Sequence, residues 1–269
     1  MIKAIATDMD GTFLTDEKTF DQPRFERIFQ QLKEQDIAFI AASGNQYAKL
    51  RSIFGEREMY FVGENGAVLY RGAERIDYHA FDKVVYREVI DYLVKSREYK
   101  EIIVCGLNSA YILKDTPQAF KENVHFYYRQ LEEVESFEPL PEDEFVKVAF
   151  NVNRETYPTL DEDIAQQFED EIKLVSSGHD SIDVIQPGIT KGFALQRLLQ
   201  KLSLNTDELM TFGDANNDLD MLQLTPHSYA MGNAKDEDVF EAAQHVAPSN
   251  NNQGVLHIID EVVLHQQNE

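Results

Sequence analysis

Two aspartates, Asp8 and Asp10, follow the apolar run AIAT near the start of the chain. On a strand, side chains two residues apart point to the same face, so these carboxylates would crowd one space and repel each other. A bound cation would offset that repulsion. One aspartate of such a pair can attack phosphorus to form an acyl phosphate, while the other protonates the leaving oxygen and then activates water. The pair suits phosphoryl transfer, although an acidic turn at a strand end would have the same sequence.

Two further stretches could bind a phosphate group. Ser43 and Gly44 follow the apolar run IAFIAA and could hold a phosphate through a hydroxyl and backbone N–H groups at the start of a helix. Lys191 precedes a predicted helix, and its ammonium could neutralise both a nucleophilic carboxylate and the incoming phosphate. The alternatives are an ordinary N-cap formed by Ser43 or Asn45, and an exposed lysine.

The acidic stretch GDANND could bind a metal ion. Mg²⁺ takes one or two protein carboxylates together with phosphate oxygens and water, so Asp214, Asp8 and the Asp10 carbonyl would suffice. Asp214, Asn216 and Asp218 also match the first ligand positions of an EF-hand loop, but the required glycine and closing glutamate are missing. A helix cap accounts for one of these residues but not for all. We expect Mg²⁺ and the lysine to offset the repulsion within the opening aspartate pair.

These stretches lie at the ends of predicted strands or the starts of predicted helices. Before residue 82, strands and helices alternate, which predicts parallel pairing, and Asn65-Gly66 between apolar runs predicts a hairpin. From 82 to 187 the pattern predicts an antiparallel sheet with helices, including the pair EIIVCGL and AYILK and a hairpin in IKLVSSGHDSIDVIQ. The sequence thus predicts an α/β fold: a parallel-sheet core formed by 1–81 and 188–269, interrupted by an α+β domain at 82–187.

The composition predicts a folded protein with a small-molecule partner. Among 269 residues, 48 acidic side chains outnumber 25 basic ones, and the formal charge of −23 argues against binding nucleic acid or an anionic membrane. No apolar stretch is long enough to cross a bilayer and no signal peptide is recognisable, so we expect a cytoplasmic protein. The only cysteine, Cys105, lies in an apolar run and should be part of the core.

The four stretches together resemble a known family. The four motifs of the haloacid dehalogenase superfamily phosphatases are similar, in this order, to DMDGT, ASG, the lysine of ITKG, and GDANND. The insertion between the second and third motifs is typical of the Cof-type branch, and the resemblance covers essentially the whole chain. Bacterial sugar phosphatases of the YbiV/SupH kind are similar to this chain in DMDGTFL, QPRF, ASGNQY, ENGA, CGLNSAY and AMGNA. The resemblance implies a Rossmann-like core with an inserted cap at 82–187 that selects the substrate.

The resemblance implies a division of roles in catalysis. Asp8 would be the nucleophile and Asp10 the general acid/base. Asp8, Asp214 and the Asp10 carbonyl would hold Mg²⁺, the implied cofactor. The implied activity is hydrolysis of a small phosphorylated metabolite, above all a sugar phosphate, through an aspartyl phosphate, by a monomer or a weak homo-oligomer.

The resemblance also implies which residues contact the substrate. Ser43, Gly44 and Lys191 would bind the phosphate. Asn217 would contact phosphate or a bound water, and Asp218 would support these residues without touching the substrate. Residues that recognise the rest of the substrate would lie in the cap. The candidates are His125, Tyr127, Tyr128, Arg129 and His179, and the alternative for each is a surface position or packing in the cap core.

The chain departs from its relatives at the second motif. Many Cof-type proteins have Thr-Gly-Arg there, whereas this chain has Asn45 in place of the arginine. The missing guanidinium favours a neutral sugar ring over a second anionic group on the substrate.

Two other functions stay open. A phosphosugar mutase or phosphotransferase would form the same aspartyl phosphate but return the phosphoryl group to a sugar. A signalling receiver also groups acidic residues, a hydroxyl and a lysine around Mg²⁺. It needs only one small domain, however, and its phosphorylated aspartate follows a middle strand.

Overall fold

The computed structural model describes residues 1–96, 99–152, 155, 159–176 and 181–264. Its strands, numbered along the chain, are β1 (Ala4–Thr7), β2 (Ala38–Ala42), β3 (Tyr60–Gly63), β4 (Val68–Arg71), β5 (Glu74–Tyr78), β6 (Ile102–Gly106), β7 (Ala110–Leu113), β8 (Leu131–Val134), β9 (Phe145–Asn151), β10 (Lys173–Ser176), β11 (Ser181–Ile185), β12 (Leu209–Gly213), β13 (His227–Met231) and β14 (His245–Ala247). Its α-helices are α1 (Gln22–Glu34), α2 (Tyr47–Phe54), α3 (Lys83–Asp91), α4 (Gln118–Tyr127), α5 (Leu160–Gln167), α6 (Lys191–Leu202), α7 (Leu219–Leu222), α8 (Glu237–Ala242) and α9 (Gly254–Ile258). Short helical turns cover Glu64–Gly66, Tyr92–Ser96, Thr206–Glu208, Asn216–Asp218, Asn250–Asn252 and Ile259–Leu264.

The first sheet carries the parallel core. Its strand order is β14-β13-β12-β1-β2-β3-β4-β5. β1 lies in the interior of this sheet and pairs in parallel with β12 on one side and β2 on the other. β3 and β4 pair antiparallel around the turn Glu64–Gly66, which confirms the hairpin predicted at Asn65-Gly66. The predicted α/β fold with a parallel sheet is therefore correct.

The second sheet is built from the intervening segment, in the order β10-β11-β9-β6-β7-β8. β6 with β7 and β10 with β11 are antiparallel, as predicted, although the turn at 177–180 lies outside the described residues. The predicted antiparallel pairing is correct for four of the five neighbouring strand pairs, whereas β7 and β8 are parallel. Helix α4 joins these two strands, as a parallel connection requires. All six strands lie within 82–187, the segment that we continue to propose as the cap.

Helix α1 shows how the sequence builds the core. Asp21 precedes the helix and accepts a hydrogen bond from the N–H of Arg24, and a proline in the first turn favours the start of a helix. Phe25, Ile28 and Leu32 then recur on one face and are buried against the sheet. Phe25 lies at the centre of a cluster of aromatic rings, 5.3–5.5 Å from those of Phe13, Phe20, Phe29, Phe39 and Phe54.

Two smaller expectations can be compared with the structure. Cys105 lies in β6 and is 1% exposed, which confirms that it belongs to the core. Among the described residues, no helix is both long and apolar enough to cross a membrane.

We expect Phe25→Ala to lower the free energy of unfolding by about 3–5 kcal/mol, because it removes a fully buried ring and leaves a cavity among its neighbours. Urea denaturation would measure this loss. The matched control is Phe240→Ala, since Phe240 is 37% exposed and should cost about 1 kcal/mol or less. Equal losses in the two variants would contradict this account of the core.

Candidate active site

The sheet brings the predicted residues together at one edge. Asp8 follows β1, Ser43 follows β2 and Asp214 follows β12, and these three strands are neighbours in the first sheet. Because they are parallel, their carboxyl ends meet at the same edge, where open α/β sheets bind ligands. Lys191 reaches this edge from the first turn of α6.

Lys191 is the centre of the site. Its side chain is fully buried, and its Nζ donates hydrogen bonds to Asp8 Oδ1 at 2.6 Å and to Asp218 Oδ1 at 2.7 Å. Burial by itself would lower the pKa of Lys191, but the two carboxylates outweigh burial and hold this pKa above its ordinary value. The alternative of an exposed lysine is therefore wrong, and Lys191 is a permanent cation in contact with the predicted nucleophile.

Three carboxylates surround this ammonium. Oxygens of Asp8, Asp214 and Asp218 all lie within 4.8 Å of one another. Burial, and then the charges of the other two aspartates, raise the pKa of Asp8 above its usual range although Lys191 opposes them. Burial and the nearby Asp218 raise the pKa of Asp214 to about 6. One ammonium therefore does not balance the negative charge gathered here.

The donor set suits a small divalent cation. Asp218 is occupied by protein contacts, because its Oδ1 accepts from Lys191 and its Oδ2 accepts from the N–H groups of Asp214 and Ala215. Asp8 and Asp214 then remain as the carboxylates best placed to hold a metal ion, and hard oxygen ligands of this kind are those that Mg²⁺ prefers. The Asp10 carbonyl stays a prediction as the third ligand.

Gly11 allows the loop after β1 to approach Asp214. Its φ of +87° is in the left-handed region, and a Cβ atom there would lie 2.3 Å from Asp214 Oδ2. Any other residue would be strained and would collide with that carboxylate. On the other side, Thr12 Oγ1 donates to Asp214 Oδ1 at 2.6 Å, which fixes the orientation of the carboxylate.

Asp10 has partners of its own. Its Oδ1 accepts from Lys18 Nζ at 2.7 Å, and its Oδ2 accepts from Asn45 Nδ2 at 2.7 Å. Lys191 contacts Asp8 whereas Lys18 contacts Asp10, so a second lysine helps to offset the charges of the opening pair. Sequence reasoning missed Lys18, a lysine in a polar loop that has the appearance of a solvated surface residue.

The loop after β2 is held as a tight turn. Ser43 is buried, and its Oγ accepts a hydrogen bond from the N–H of Asn45 at 3.1 Å. A Cβ atom on Gly44 would lie 3.0 Å from Asn65 Oδ1, so the loop packs closely against that side chain. Helix α2 begins at Tyr47 with Gln46 at its N-cap, so neither Ser43 nor Asn45 is the N-cap residue proposed as the alternative.

Asn217 and the cap candidates occupy different surroundings. Asn217 Nδ2 donates to Asn65 Oδ1 at 3.0 Å, beside the loop after β2. Tyr128 is buried, with its hydroxyl 3.6 Å from Cys105 Sγ, and therefore packs against the second sheet. Tyr127 is half-buried, whereas His125 and Arg129 are exposed. His179 lies outside the described residues.

Comparison with known proteins gives matches over nearly the whole chain. A family model described as haloacid dehalogenase-like hydrolase matches residues 5–259. The 5-amino-6-(5-phospho-D-ribitylamino)uracil phosphatase YbjI of Escherichia coli (strain K12) is 40% identical over 267 residues, which cover 98% of this chain and 97% of that protein. A phosphatase of the same description from Bacillus subtilis (strain 168), YwtE, is 24% identical over 98% of this chain and 99% of its own length. The crystal structure of SMU.1108c from Streptococcus mutans UA159 matches with a TM-score of 0.90 and 36% identity, covering 98% of this chain and 100% of that one.

The raised pKa of Asp214 predicts how stability depends on pH without metal. In EDTA the folded protein holds a proton on Asp214 up to about pH 6, whereas the unfolded chain loses it near the ordinary value of 3.8. Stability from this group is therefore present at low pH and is lost as the pH rises from about 4 to about 6. Because the amide of Asp214→Asn does not ionise, this variant should be more stable than the wild type at pH 7 in EDTA, and the difference should shrink towards pH 4.

Urea denaturation across this pH range would measure the effect, with the exposed Asp236→Asn as the control. Addition of Mg²⁺ at pH 7 should stabilise the wild type more than Asp214→Asn. A difference between Asp214→Asn and the wild type that does not change with pH would contradict the placement of Asp214 in a crowded acidic site.

Proposed function

The chain belongs to the haloacid dehalogenase-like hydrolase family, and we propose that it is a Mg²⁺-dependent phosphatase. In this proposal it hydrolyses phosphate esters of small polyhydroxylated metabolites through an aspartyl phosphate. The observation that carries the proposal is the contact of Lys191 with Asp8 inside a cluster of carboxylates at the edge of a parallel sheet.

Each residue in the site has a task in the first half of the reaction. Asp8 attacks phosphorus, so that a bond between its Oδ and phosphorus forms while the bond to the leaving oxygen breaks. Lys191 favours the ionised form of Asp8, against the burial that raises its pKa, and reduces the repulsion between this carboxylate and the phosphate dianion. Asp10 gives its proton to the leaving oxygen, which departs as an alcohol.

The second half uses the same groups in reverse. Asp10 accepts a proton from water, the water oxygen attacks phosphorus, and Asp8 is released as a carboxylate together with inorganic phosphate. Ser43, Gly44 and Asn217 hold the phosphoryl oxygens, and Asp218 keeps Lys191 in place. When bound between Asp8 and Asp214, Mg²⁺ would supply positive charge to the phosphoryl oxygens.

The substrate class rests on two supports. YbjI and YwtE are named for a substrate that carries its phosphate on a ribityl chain, which is a polyol with no second charged group beside the ester. At the second motif Asn45 bonds to Asp10, and this asparagine offers no positive charge to a further anionic group. We therefore propose sugar phosphates and ribityl-type polyol phosphates as the substrates, with the ester on a primary carbon.

A hydrolysis screen tests this function. The protein with Mg²⁺ is assayed for release of inorganic phosphate from hexose and pentose phosphates, 5-amino-6-(5-phospho-D-ribitylamino)uracil, nucleotides and phosphorylated cofactors. We expect release from the polyol and sugar esters, loss of activity in excess EDTA, and inhibition by Ca²⁺, whose looser and longer coordination would disturb the in-line geometry. Isomerised sugar phosphate with little phosphate release would indicate a mutase, and full turnover in EDTA would refute the metal requirement.

Asp10→Asn should separate the two halves of the reaction. This variant keeps the nucleophile but loses the general acid/base, which is worth roughly 10²- to 10⁴-fold. With p-nitrophenyl phosphate, whose leaving group departs without a proton, we expect a burst of p-nitrophenolate followed by very slow turnover. With a sugar phosphate there should be no burst, because the first step is blocked.

Mass spectrometry of the quenched Asp10→Asn variant should locate the phosphoryl group on the peptide that contains Asp8. The control Asp8→Asn should show neither burst nor label. Near wild-type turnover of sugar phosphates by Asp10→Asn, or a label elsewhere, would overturn the proposed division of roles.

A further inference from the structure

A second buried lysine connects the proposed cap with residues 43–45, the phosphate-binding loop of the proposed function. Lys147 lies within β9 of the second sheet and is 1% exposed. Its Nζ donates to the carbonyl oxygen of Gly44 at 2.7 Å. The same Nζ lies 2.7 Å from Glu64 Oε2 and 3.4 Å from Asp183 Oδ2. Gly44 and Glu64 belong to the part of the chain that carries the first sheet, so one ammonium binds groups from both parts of the molecule.

Asn65 is next to Glu64 in the chain and contacts both parts of the molecule. Its φ of +55° places it in the left-handed region, and its backbone N–H donates to Ser43 O at 3.1 Å. Its side-chain Nδ2 donates to Asp183 Oδ2 at 2.6 Å, while its Oδ1 accepts from Asn217 Nδ2 at 3.0 Å. A carboxylate accepts hydrogen bonds but donates none, so Asp183 binds the NH₂ end of the Asn65 carboxamide and leaves the oxygen to face Asn217.

Each carbonyl oxygen of the phosphate-binding loop accepts a hydrogen bond. Ser43 O accepts from the N–H of Asn65, Gly44 O accepts from Lys147 Nζ, and Asn45 O accepts from the N–H of Glu64. A peptide unit is planar, so fixing the carbonyl of Ser43 also fixes the direction of the N–H of Gly44, which the proposed function assigns to phosphate.

We propose that Asn65 is a positioning residue for the phosphate group, held in its working orientation by Asp183 and Lys147 of the cap. It sets two phosphate contacts at once, the N–H of Gly44 through its backbone and the carboxamide of Asn217 through its side chain. This inference rests on the proposed function. It adds that the closed cap and the bound phosphate stabilise each other, since coupling between two such events is reciprocal.

Asn65→Gly tests the side chain separately from the backbone. Glycine tolerates the positive φ and keeps the N–H that binds Ser43, so the variant removes only the carboxamide. We expect the inhibition constant for inorganic phosphate and the KM for p-nitrophenyl phosphate to rise about tenfold or more, as for the loss of one hydrogen bond to a charged group. The control Gln186→Ala removes a different contact between the two parts, that of Gln186 Nε2 with His79 O, and should leave both constants within twofold.

The pair Lys147→Met and Glu64→Gln, made together, tests the support from the cap. The double variant removes one buried charge of each sign and leaves Asn65 in place. It should also weaken inhibition by phosphate, and its effect combined with Asn65→Gly should be smaller than the product of the separate effects, because the two changes act on one network. If the double variant does not fold, the single variant decides.

The outcomes distinguish the inference from the function on which it rests. If the wild type does not release phosphate from p-nitrophenyl phosphate and is not inhibited by inorganic phosphate, both the proposed function and this inference are refuted. A wild type that does both, with Asn65→Gly within twofold of Gln186→Ala in both constants, overturns the positioning role and leaves the phosphatase standing. A merely structural role for Asn65 would lower the active fraction, and hence kcat, without changing either constant.

Discussion

The contact of Lys191 with Asp8 and Asp218 is the interaction on which the rest of the site depends. An ammonium with no exposure to water is stable only because two carboxylates lie within hydrogen-bonding distance of it. Those carboxylates in turn could not gather so closely without a cation. Burial raises the pKa values of Asp8 and Asp214, and the nearby Asp218 raises them further, because one lysine does not balance three carboxylates. The site is therefore organised to be completed by further positive charge and by a phosphate group.

The fold serves this charge arrangement by bringing distant segments together on rigid supports. Asp8 and Asp214 are separated by some two hundred positions in sequence but follow the neighbouring strands β1 and β12. The loop after Asp10 is anchored by Phe13, which is buried within the aromatic cluster around Phe25. A close-packed anchor of this kind resists displacement, so the carboxylates keep their spacing before any ligand arrives. Preorganised charges act without the cost of reorganisation when the transition state forms.

The sequence predicts the parallel core well because its signals are local. Apolar runs, turn residues and helix periodicity repeat along the chain, and each predicted site residue lies at the end of such an element. The strands that it does not predict have weak patterns. β5 reads ERIDY and β8 reads LEEV, with most of their charged residues on exposed positions, and β14 is three residues long. Lys18, Asn65 and Lys147 escape prediction for another reason, since their roles come from partners that are distant in sequence. Lys147 lies in the strand FVKVAFN, which is buried on both faces and so offers no periodic signal that its side chain is buried.

The two buried lysines differ in what their partners allow. Both carboxylates of Lys191 belong to the core, so its contacts do not depend on the cap. Lys147 in β9 and its partner Asp183 in β11 both belong to the second sheet, whereas its other partner, Glu64, does not. Burial raises the pKa of Glu64, although Lys147 opposes the change. The charge of Glu64 is therefore only partly compensated by Lys147. Since a buried ion pair adds little net stability, this contact fixes the position of Lys147 relative to Glu64 more than it stabilises the fold. In the proposed phosphatase, a cap that admits substrate and releases phosphate in every cycle would require a contact of this kind.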